Sequence, residues 1–349
     1  MVATRKTAWL LALADPPGPR LYLPDRRLRP AEVAWLTAKA QHHGVLPAVM
    51  ANLRRVMQRL GADRILRPSA DGADAAKLLA DGLANARRIL RLQTAFSLIL
   101  RRQLQNIGRA VAGRSLPVVA IKGAEFADRL YPRPTLRPFT DLDLLAPRQA
   151  VPAVEDILRQ QGYRRVPAPE RKYRSGYGET MWRPRSGVGG SVEVHWNLVN
   201  SPSQRRAVSV CYEDLGVREA RNKMGFILVS PASLVLVAGV HGAVGHRFDR
   251  LQGLVDLCQG ARGAAGNPDP AWLGYACRRT GATAALATAL ELAGRAFREP
   301  ACRRLLDGIG HFGSARLCST LVSPSVVVNS EGALPGLRRQ MLREALKRL

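Results

Sequence analysis

The sequence predicts an α+β protein in which a small mixed sheet lies between two helical regions. Three observations support this fold class. Residues 1–115 carry apolar side chains at helical spacing, residues 116–200 contain short segments in which apolar and polar residues alternate, and residues 201–349 return to helical spacing. We therefore expect a helical N-terminal region, a central core and a helical C-terminal domain with these boundaries. A chain of 349 residues is long enough to bury a sizeable core.

The N-terminal region predicts two long amphipathic helices, one from Pro30 to Leu53 and one from about Ala73 to Ala112. The apolar segment Ala8–Leu13 follows two basic residues, a pattern shared by a short signal peptide and by a first helix of the domain, which we favour. The longest other apolar stretch, Leu234–Val244, is too short to span a bilayer. We expect a cytoplasmic protein without a transmembrane segment.

The central core predicts strands and helices in turn. The strands cover Pro117–Ile121, Asp141–Leu145, Tyr173–Trp182 and Val192–Trp196. A helix follows Gly123 up to Leu130, and another covers Val151–Gln161. After Ser201 we expect only helices, over Pro231–Val244, Leu251–Ala261, Ala271–Arg279, Ala282–Phe297 and from Leu337 to the end.

The composition limits the classes of function. The chain has 53 Lys and Arg against 27 Asp and Glu, a net charge of +26, so it should attract anions. Hydrophobic residues make up 46%, which excludes a disordered basic chain, and the aromatic content of 5% argues against single-strand nucleic-acid readers that stack bases. Five scattered cysteines without a C-x-x-C pair form neither a disulfide framework nor a zinc site.

Three acidic residues point to chemistry. Asp141 and Asp143 are two apart on a strand, so both project from one face, and Glu193 lies between two valines on another strand. Carboxylates that converge repel one another unless a divalent cation neutralises them, and magnesium bridging such acids and a triphosphate serves phosphoryl and nucleotidyl transfer. Upstream, the turn at Lys122 and Gly123 precedes a helix, whose N-terminus favours a phosphate. Taken alone, an Asp-x-Asp pair is also compatible with a solvated edge strand.

At these residues the chain resembles the DNA polymerase β-like nucleotidyltransferase superfamily, and more narrowly an uncharacterised bacterial nucleotidyltransferase family with a Lys-Gly turn. The resemblance covers roughly residues 30–300. The segments that carry it are Ile121–Ala124, Leu130–Pro132, Arg137, Asp141–Leu145, Gly162–Tyr163, Val192–Trp196, His241–Gly242, His246, Arg250–Leu251 and Val255–Leu257. It implies a small mixed sheet of the nucleotidyltransferase type, an NTP as co-substrate and two Mg²⁺ ions.

The resemblance also implies roles for single residues. Asp141 and Asp143 would be ligands of the nucleotide-bound and catalytic metal ions, and Glu193 would be the third metal-binding acid or would polarise the acceptor hydroxyl. Gly123 with Lys122 would contact the triphosphate. The superfamily's Gly-Ser is here Gly123-Ala124, so Lys122 is expected to supply the lost phosphate contact as a point charge.

Other polar residues have more than one interpretation. Arg137, just before the acidic strand, either binds phosphate or solvates a loop, and His195 either orients a metal ligand, shuttles a proton or braces its strand. His241 and His246 are five apart, a spacing that does not place them on one face of an α-helix. Together with Asp249 and Asp256, we expect them to pack the helical domain against the sheet. The basic segment 164–185 and the basic C-terminal helix are either anion-binding or solvated surfaces.

The predicted function is Mg²⁺-dependent transfer of a nucleoside monophosphate from an NTP to an acceptor hydroxyl or phosphate, with release of pyrophosphate. A small molecule, peptide or protein, acidic or hydroxyl-bearing, is favoured as acceptor. The net charge keeps an RNA 3′ end as an alternative. The missing serine after Gly123 motivates a further alternative, a degenerate NTP-binding sensor or scaffold.

Overall fold

The computed structural model describes residues 4–16, 23–24, 27–61, 72–167, 176–310, 312–331 and 333–348. It confirms the α+β class, with a five-stranded mixed sheet, a two-stranded sheet and helices on both sides in sequence. The helices are α1 (Arg5–Ala14), α2 (Pro30–His42), α3 (Leu46–Leu60), α4 (Gly72–Gly113), α5 (Gly123–Leu130), α6 (Val151–Gln160), α7 (Pro202–Arg205), α8 (Pro231–Val240), α9 (Leu251–Ala261), α10 (Pro270–Thr280), α11 (Thr283–Phe297), α12 (Pro300–Ile309), α13 (Phe312–Leu321), α14 (Pro324–Val328) and α15 (Ala333–Ala345).

Two details of the N-terminal helices matter for the prediction. The 42-residue helix α4 confirms the long helix expected over residues 73–112. The amphipathic stretch expected from Pro30 to Leu53 is helical but divided between α2 and α3, because the chain turns at Gly44, whose φ of +71° is favourable for glycine. Within the described ranges, no helix combines the length and the apolar character that a membrane span requires.

The main sheet has the strand order β1-β2-β5-β4-β3. Its strands are β1 (Val119–Ile121), β2 (Asp141–Leu145), β3 (Tyr163–Arg165), β4 (Glu179–Pro184) and β5 (Ser191–His195). Strands β2 and β5 are parallel, and the other neighbours are antiparallel. Strand β3 was not predicted. The predicted strand over 173–182 is described only from residue 176, and β4 begins at Glu179.

A second sheet corrects the expectation of helices alone after Ser201. It is a hairpin of β6 (Val217–Arg221) and β7 (Ile227–Val229), and the amide of Ile227 donates to the carbonyl of Val118 beside β1. The hairpin therefore extends from the first strand of the main sheet into the C-terminal helices.

The two faces of the main sheet belong to different hydrophobic clusters. Leu142, Leu144 and Val194 pack on one face with residues of α4 and α6. On the other face, Ile121 and Leu145 join a larger cluster that contains residues from both the N-terminal and the C-terminal helices. The acidic residues project from the face that this larger cluster covers. The division of the chain into domains at residues 115 and 200 stays a prediction.

His43 ties the N-terminal helices to α14 and predicts an acid-sensitive contact. Its Nε2–H donates to the carbonyl of Val328 at 3.0 Å, and its buried Nδ1 has no hydrogen-bond partner among the described residues. Burial lowers the pKa of His43 to about 4, against the opposing effect of the Val328 carbonyl. Between pH 6.5 and 4 the unfolded chain therefore binds a proton that the folded chain does not. The free energy of unfolding thus decreases by roughly 3 kcal/mol as the pH is lowered from 6.5 to 4.

This acid loss is measurable as the difference in unfolding free energy between pH 6.5 and 4 by urea titration. We expect His43→Gln, which keeps an N–H donor but does not titrate, to lose about 3 kcal/mol less over that interval than the wild type. His42→Gln, at a more exposed ring next to it, should behave as the wild type does. Equal pH slopes for His43→Gln and wild type would contradict the assignment.

Candidate active site

The acidic residues meet where β2 and β5 run side by side. The parallel register pairs Asp143 with Glu193 and Leu145 with His195, so these side chains share one face of the sheet. Asp141 is two residues before Asp143 and projects from the same face. Because Leu142 and Leu144 alternate with the two aspartates and are buried on the opposite face, the sequence pattern alone fixes this orientation.

His195 lies between carboxylates on both sides of its ring. Its Nε2 is 3.1 Å from Asp143 Oδ1 and 3.5 Å from Glu193 Oε2, and its Nδ1 is 3.2 Å from Glu179 Oε2. Glu179 lies opposite His195 in the antiparallel register of β4 and β5, and Asn200 Nδ2 donates to its Oε2 at 2.5 Å. On this side Nδ1 also hydrogen-bonds to Asn200 Oδ1 at 3.3 Å, while Nε2 faces the acidic pair.

The Lys122–Gly123 turn brings a cation to the same place. Lys122 Nζ is 2.8 Å from Asp143 Oδ1, the oxygen that also contacts His195. The backbone of Lys122 has φ +61° and ψ −144°, a conformation populated almost only by glycine, and Gly123 follows with φ +40°. This strained turn directs the side chain of Lys122 onto the acidic strand.

The strain at Lys122 predicts an unusual order of stability among variants. Lys122→Gly and Lys122→Ala remove the same ammonium group, but only glycine relaxes the backbone, so Lys122→Gly should be more stable than Lys122→Ala by about 1 kcal/mol in urea unfolding. The exposed Lys77 of α4 is the matched control. There alanine should be the more stable variant, because glycine weakens a helix. The same order at both positions would contradict strain at residue 122.

The charges of the cluster shift the pKa values of its members in opposite directions. Repulsion from Asp143, followed by burial, raises the pKa of Asp141 to about 6. Burial opposes ionisation of Asp143, but Lys122 and His195 outweigh it and lower the pKa of this carboxyl group. Burial also opposes the imidazolium of His195, yet the carboxylates of Asp143 and Glu193 raise its pKa to about 9. Lys122 and His195 are thus the two cationic groups of a cluster that contains more carboxylates than cations.

Three ligand atoms of this cluster meet the geometric needs of a metal ion. One atom each from Asp143, Glu193 and His195 lie within 4.8 Å of one another. Two oxygens and a nitrogen can hold a divalent cation. A metal-binding histidine commonly has its other ring nitrogen fixed by a neighbouring oxygen, and here Asn200 Oδ1 and Glu179 Oε2 lie beside Nδ1. Asp141 lies outside this group of three atoms but lines the same cavity.

The partners of Arg137 in the structure are protein groups, a carboxylate and a backbone carbonyl. Its Nε and Nη2 donate to the two oxygens of Asp256 at 2.8 Å each, and its Nη1 donates to the carbonyl of Gly123 at 3.1 Å. Tyr131 also donates to Asp256, at 2.6 Å. Arg137 therefore anchors the Gly123 turn to α9, which carries Asp256, while its role toward phosphate stays a prediction. Asp256 packs the helical domain against this turn, as expected.

The site opens into a cavity of about 910 Å³ between the sheet and the C-terminal helices. The chain forms a π-helical turn over His241–Gly245, in which the amide of His246 bonds to the carbonyl five residues earlier. This turn stacks the rings of His241 and His246 edge to face, with centroids 4.4 Å apart, and His241 Nδ1 lies 3.4 Å from Lys122 Nζ. The expectation that the two histidines lie on different faces is wrong, because it assumed an α-helical period.

Sequence reasoning missed Glu179, because nothing in the sequence shows that its strand pairs with β5. His241 was expected only to pack the helical domain against the sheet, and its position beside Lys122 depends on the tertiary packing of α8. Of the basic segment 164–185, only residues 164–167 and 176–185 are described, in and around β3 and β4.

Comparison with known proteins gives one match. A family model described as an uncharacterised nucleotidyltransferase matches residues 29–298, which is more than half of the chain. These residues include every side chain of the acidic cluster and the Lys122–Gly123 turn. No curated protein and no solved structure shows significant similarity to the chain.

Proposed function

Since the chain belongs to this family of uncharacterised nucleotidyltransferases, we propose that it transfers a nucleoside monophosphate from an NTP to an acceptor, with release of pyrophosphate. The observation that supports this best is the register of β2 and β5. It pairs Asp143 with Glu193 beside the Lys122–Gly123 turn, on the wall of one cavity. Acids and a phosphate-binding turn are thus adjacent, as nucleotidyl transfer requires.

In this proposal Asp143, Glu193 and His195 would hold a divalent cation, which takes the place of the Nε2 proton of His195, and Asp141 would hold the nucleotide-bound one. We keep Mg²⁺ as the expected ion at both positions. The bound ions would neutralise the charge that develops on the transferred phosphate and align it with the acceptor. Because His195 contributes a nitrogen, which Mn²⁺ accepts more readily than Mg²⁺ does, the metal titrations below use both ions.

Lys122, Gly123 and Arg137 prepare the place for the triphosphate. Lys122 neutralises Asp143 when the nucleotide is absent and exchanges that carboxylate for a phosphate oxygen when it is present. The N-terminus of α5, which starts at Gly123, presents free amide groups to the phosphates. Arg137 positions this turn through the Gly123 carbonyl. Burial of Asp143 and His195 at the base of the cavity strengthens these contacts.

Glu179 acts through His195. Its carboxylate lies 3.2 Å from Nδ1, which donates to Asn200 Oδ1, and so favours a proton on that nitrogen, with Nε2 directed at Asp143 and Glu193. The acceptor is a hydroxyl or phosphate group on a small molecule, peptide or protein, with nucleic acid ranked lower. The retained cluster of acids argues against a degenerate sensor, because such acids repel one another without metal.

A label-transfer experiment tests the function. Protein, divalent metal and each NTP labelled at the α-phosphate are incubated with source-cell extract divided into small-molecule, protein and RNA fractions. We expect label in one fraction with wild type and none with the double variant Asp141→Asn/Asp143→Asn. Label in no fraction, with NTP binding intact by calorimetry, would support the sensor instead. Absence of NTP binding would contradict the proposal altogether.

The support of His195 by Glu179 gives a prediction for metal binding. Glu179→Gln should weaken the binding of Mn²⁺ and of Mg²⁺ by about 10- to 100-fold in calorimetric titrations, because the ring of His195 loses its anionic partner. Glu219→Gln, at an exposed position of β6, should leave both affinities unchanged. An unchanged affinity of the folded Glu179→Gln protein would exclude His195 as a supported metal ligand.

A further inference from the structure

The cavity has a second wall of opposite charge. Three arginines line it away from the acidic strands: Arg247 and Arg250 from the turn that follows the π-helical segment, and Arg343 from α15. We call these three residues the arginine wall. Helix α15 lies beyond residue 298, where the family match ends, so Arg343 is a feature of this chain outside the matched region.

The guanidinium groups of the arginine wall are poorly neutralised within the described part of the chain. Arg343 forms no ion pair there, and its buried Nε has no hydrogen-bond partner. Arg247 donates only to the uncharged Gln340, at 3.2 Å. Asp249 is the single carboxylate that the turn and α15 contribute to the described cavity lining, so the net charge of the wall with Asp249 included is +2. The Arg137 charge nearby is already matched by Asp256.

The backbone holds the arginine wall in place. Arg247 and Phe248 are consecutive residues with φ of +52° and +54°, a left-handed pair that costs energy in residues other than glycine. Phe248 is buried, and its amide donates to the carbonyl of Gly242 at 2.8 Å, which fixes the turn to the π-helical segment. The bond from Arg247 to Gln340 joins the turn to α15. Strain is thus retained where the turn and the helix present cations to the cavity.

From this arrangement we propose that the arginine wall binds a phosphate group of the acceptor, which makes the acceptor a phosphate monoester rather than a neutral alcohol. The inference rests on the proposed function, which assigns the acidic wall and the Lys122–Gly123 turn to the metal and the NTP. Guanidinium groups bind phosphate oxygens through paired N–H donors, and a monoester carries nearly two negative charges at pH 7, matching the +2 of the wall. For the basic C-terminal helix, which the sequence left as an anion-binding or a solvated surface, Arg343 lines the cavity.

Calorimetry on the full chain tests the proposal with inorganic phosphate as the probe, without metal. We expect the wild type to bind phosphate. The variants Arg343→Gln and Arg250→Gln, the second at an exposed residue, should bind it at least tenfold more weakly. Asp141→Asn/Asp143→Asn should retain it. The matched control is Arg338→Gln, which removes the same charge from α15 at a position that does not line the cavity. No binding by wild type, or an equal loss in Arg338→Gln, would overturn the proposal.

A second titration separates the acceptor from the donor. ATP with MgCl₂ should bind Arg343→Gln as it binds wild type, and phosphate should still bind wild type saturated with ATP. If Arg343→Gln weakened ATP as much as phosphate, the arginine wall would bind the donor triphosphate, and the acceptor assignment would be overturned. Failure of the proposed function gives a different result from failure of the acceptor assignment alone. In that case the wild type would bind no ATP, while its affinity for phosphate would still depend on Arg343. That result would also remove the acceptor assignment.

Discussion

Asp143→Asn is expected to reduce nucleotidyl transfer by at least about 10³-fold, equivalent to roughly 4 kcal/mol of transition-state stabilisation. Asp143 is the residue on which the cluster converges, since Lys122, His195 and the register partner Glu193 all face it. An amide keeps the shape of the side chain but removes the charge that would hold a divalent cation. The measurement is single-turnover transfer of α-labelled NTP to the acceptor fraction identified by label transfer.

The control for this prediction is Asp156→Asn, at an exposed carboxylate of α6, which should keep wild-type activity. A thermal melt of Asp143→Asn is also needed, because Lys122 is buried and loses an ion-pair partner in this variant. A folded Asp143→Asn protein with activity within tenfold of wild type would rule out the metal role of this residue.

The largest effect on stability is expected at Asp256. Asp256→Asn should lower the free energy of unfolding by about 3–5 kcal/mol, because it leaves the buried guanidinium of Arg137 without a counter-charge. Asp256 also accepts a hydrogen bond from Tyr131, so three buried donors lose their anionic acceptor together. Urea unfolding at neutral pH measures the change.

Two further proteins test the cause. Asp307→Asn breaks an exposed ion pair with Arg303 and should cost less than about 1 kcal/mol. The double variant Arg137→Met/Asp256→Leu removes both charges and should be less destabilised than Asp256→Asn, because no unpaired charge stays buried. A double variant that is less stable than Asp256→Asn would show that packing, rather than the unpaired charge, dominates at this position.

The sequence was most informative where burial follows a simple period. Strands β2 and β5 were predicted because acids alternate with buried leucines or valines, and the long helix α4 because its apolar residues recur at helical spacing. The need for a burial period also explains why β3 and β6 were not predicted. Only one residue of β3 is buried, and β6 is mostly exposed, so neither strand has an apolar pattern that would distinguish it from a loop.

Partners that are distant in sequence were beyond any local pattern. Arg137 was assigned to phosphate because it precedes the acidic strand, yet its anionic partner Asp256 is 119 positions away. Glu179 enters the site through an antiparallel pairing of β4 and β5 that no local pattern specifies. The residue types needed for the chemistry were therefore readable from the sequence, whereas the contacts that orient them depend on how the helical domain packs on the sheet.

The π-helical turn at His241–Gly245 has a consequence for how this protein tolerates changes in length. An α-helix advances by about 100° per residue, and a π-helical turn contains one residue more than an α-helical turn. This extra residue therefore sets the orientation of the segment that follows the turn. Deleting one residue between Gly242 and Gly245 would restore a regular helix and rotate the arginine-bearing turn away from the cavity, although no functional side chain would be lost. A substitution scan would find Gly242 tolerant, because an added Cβ would meet only the ring of Phe248 at an ordinary contact distance of 3.5 Å, whereas deletion of a single residue from this turn would abolish activity.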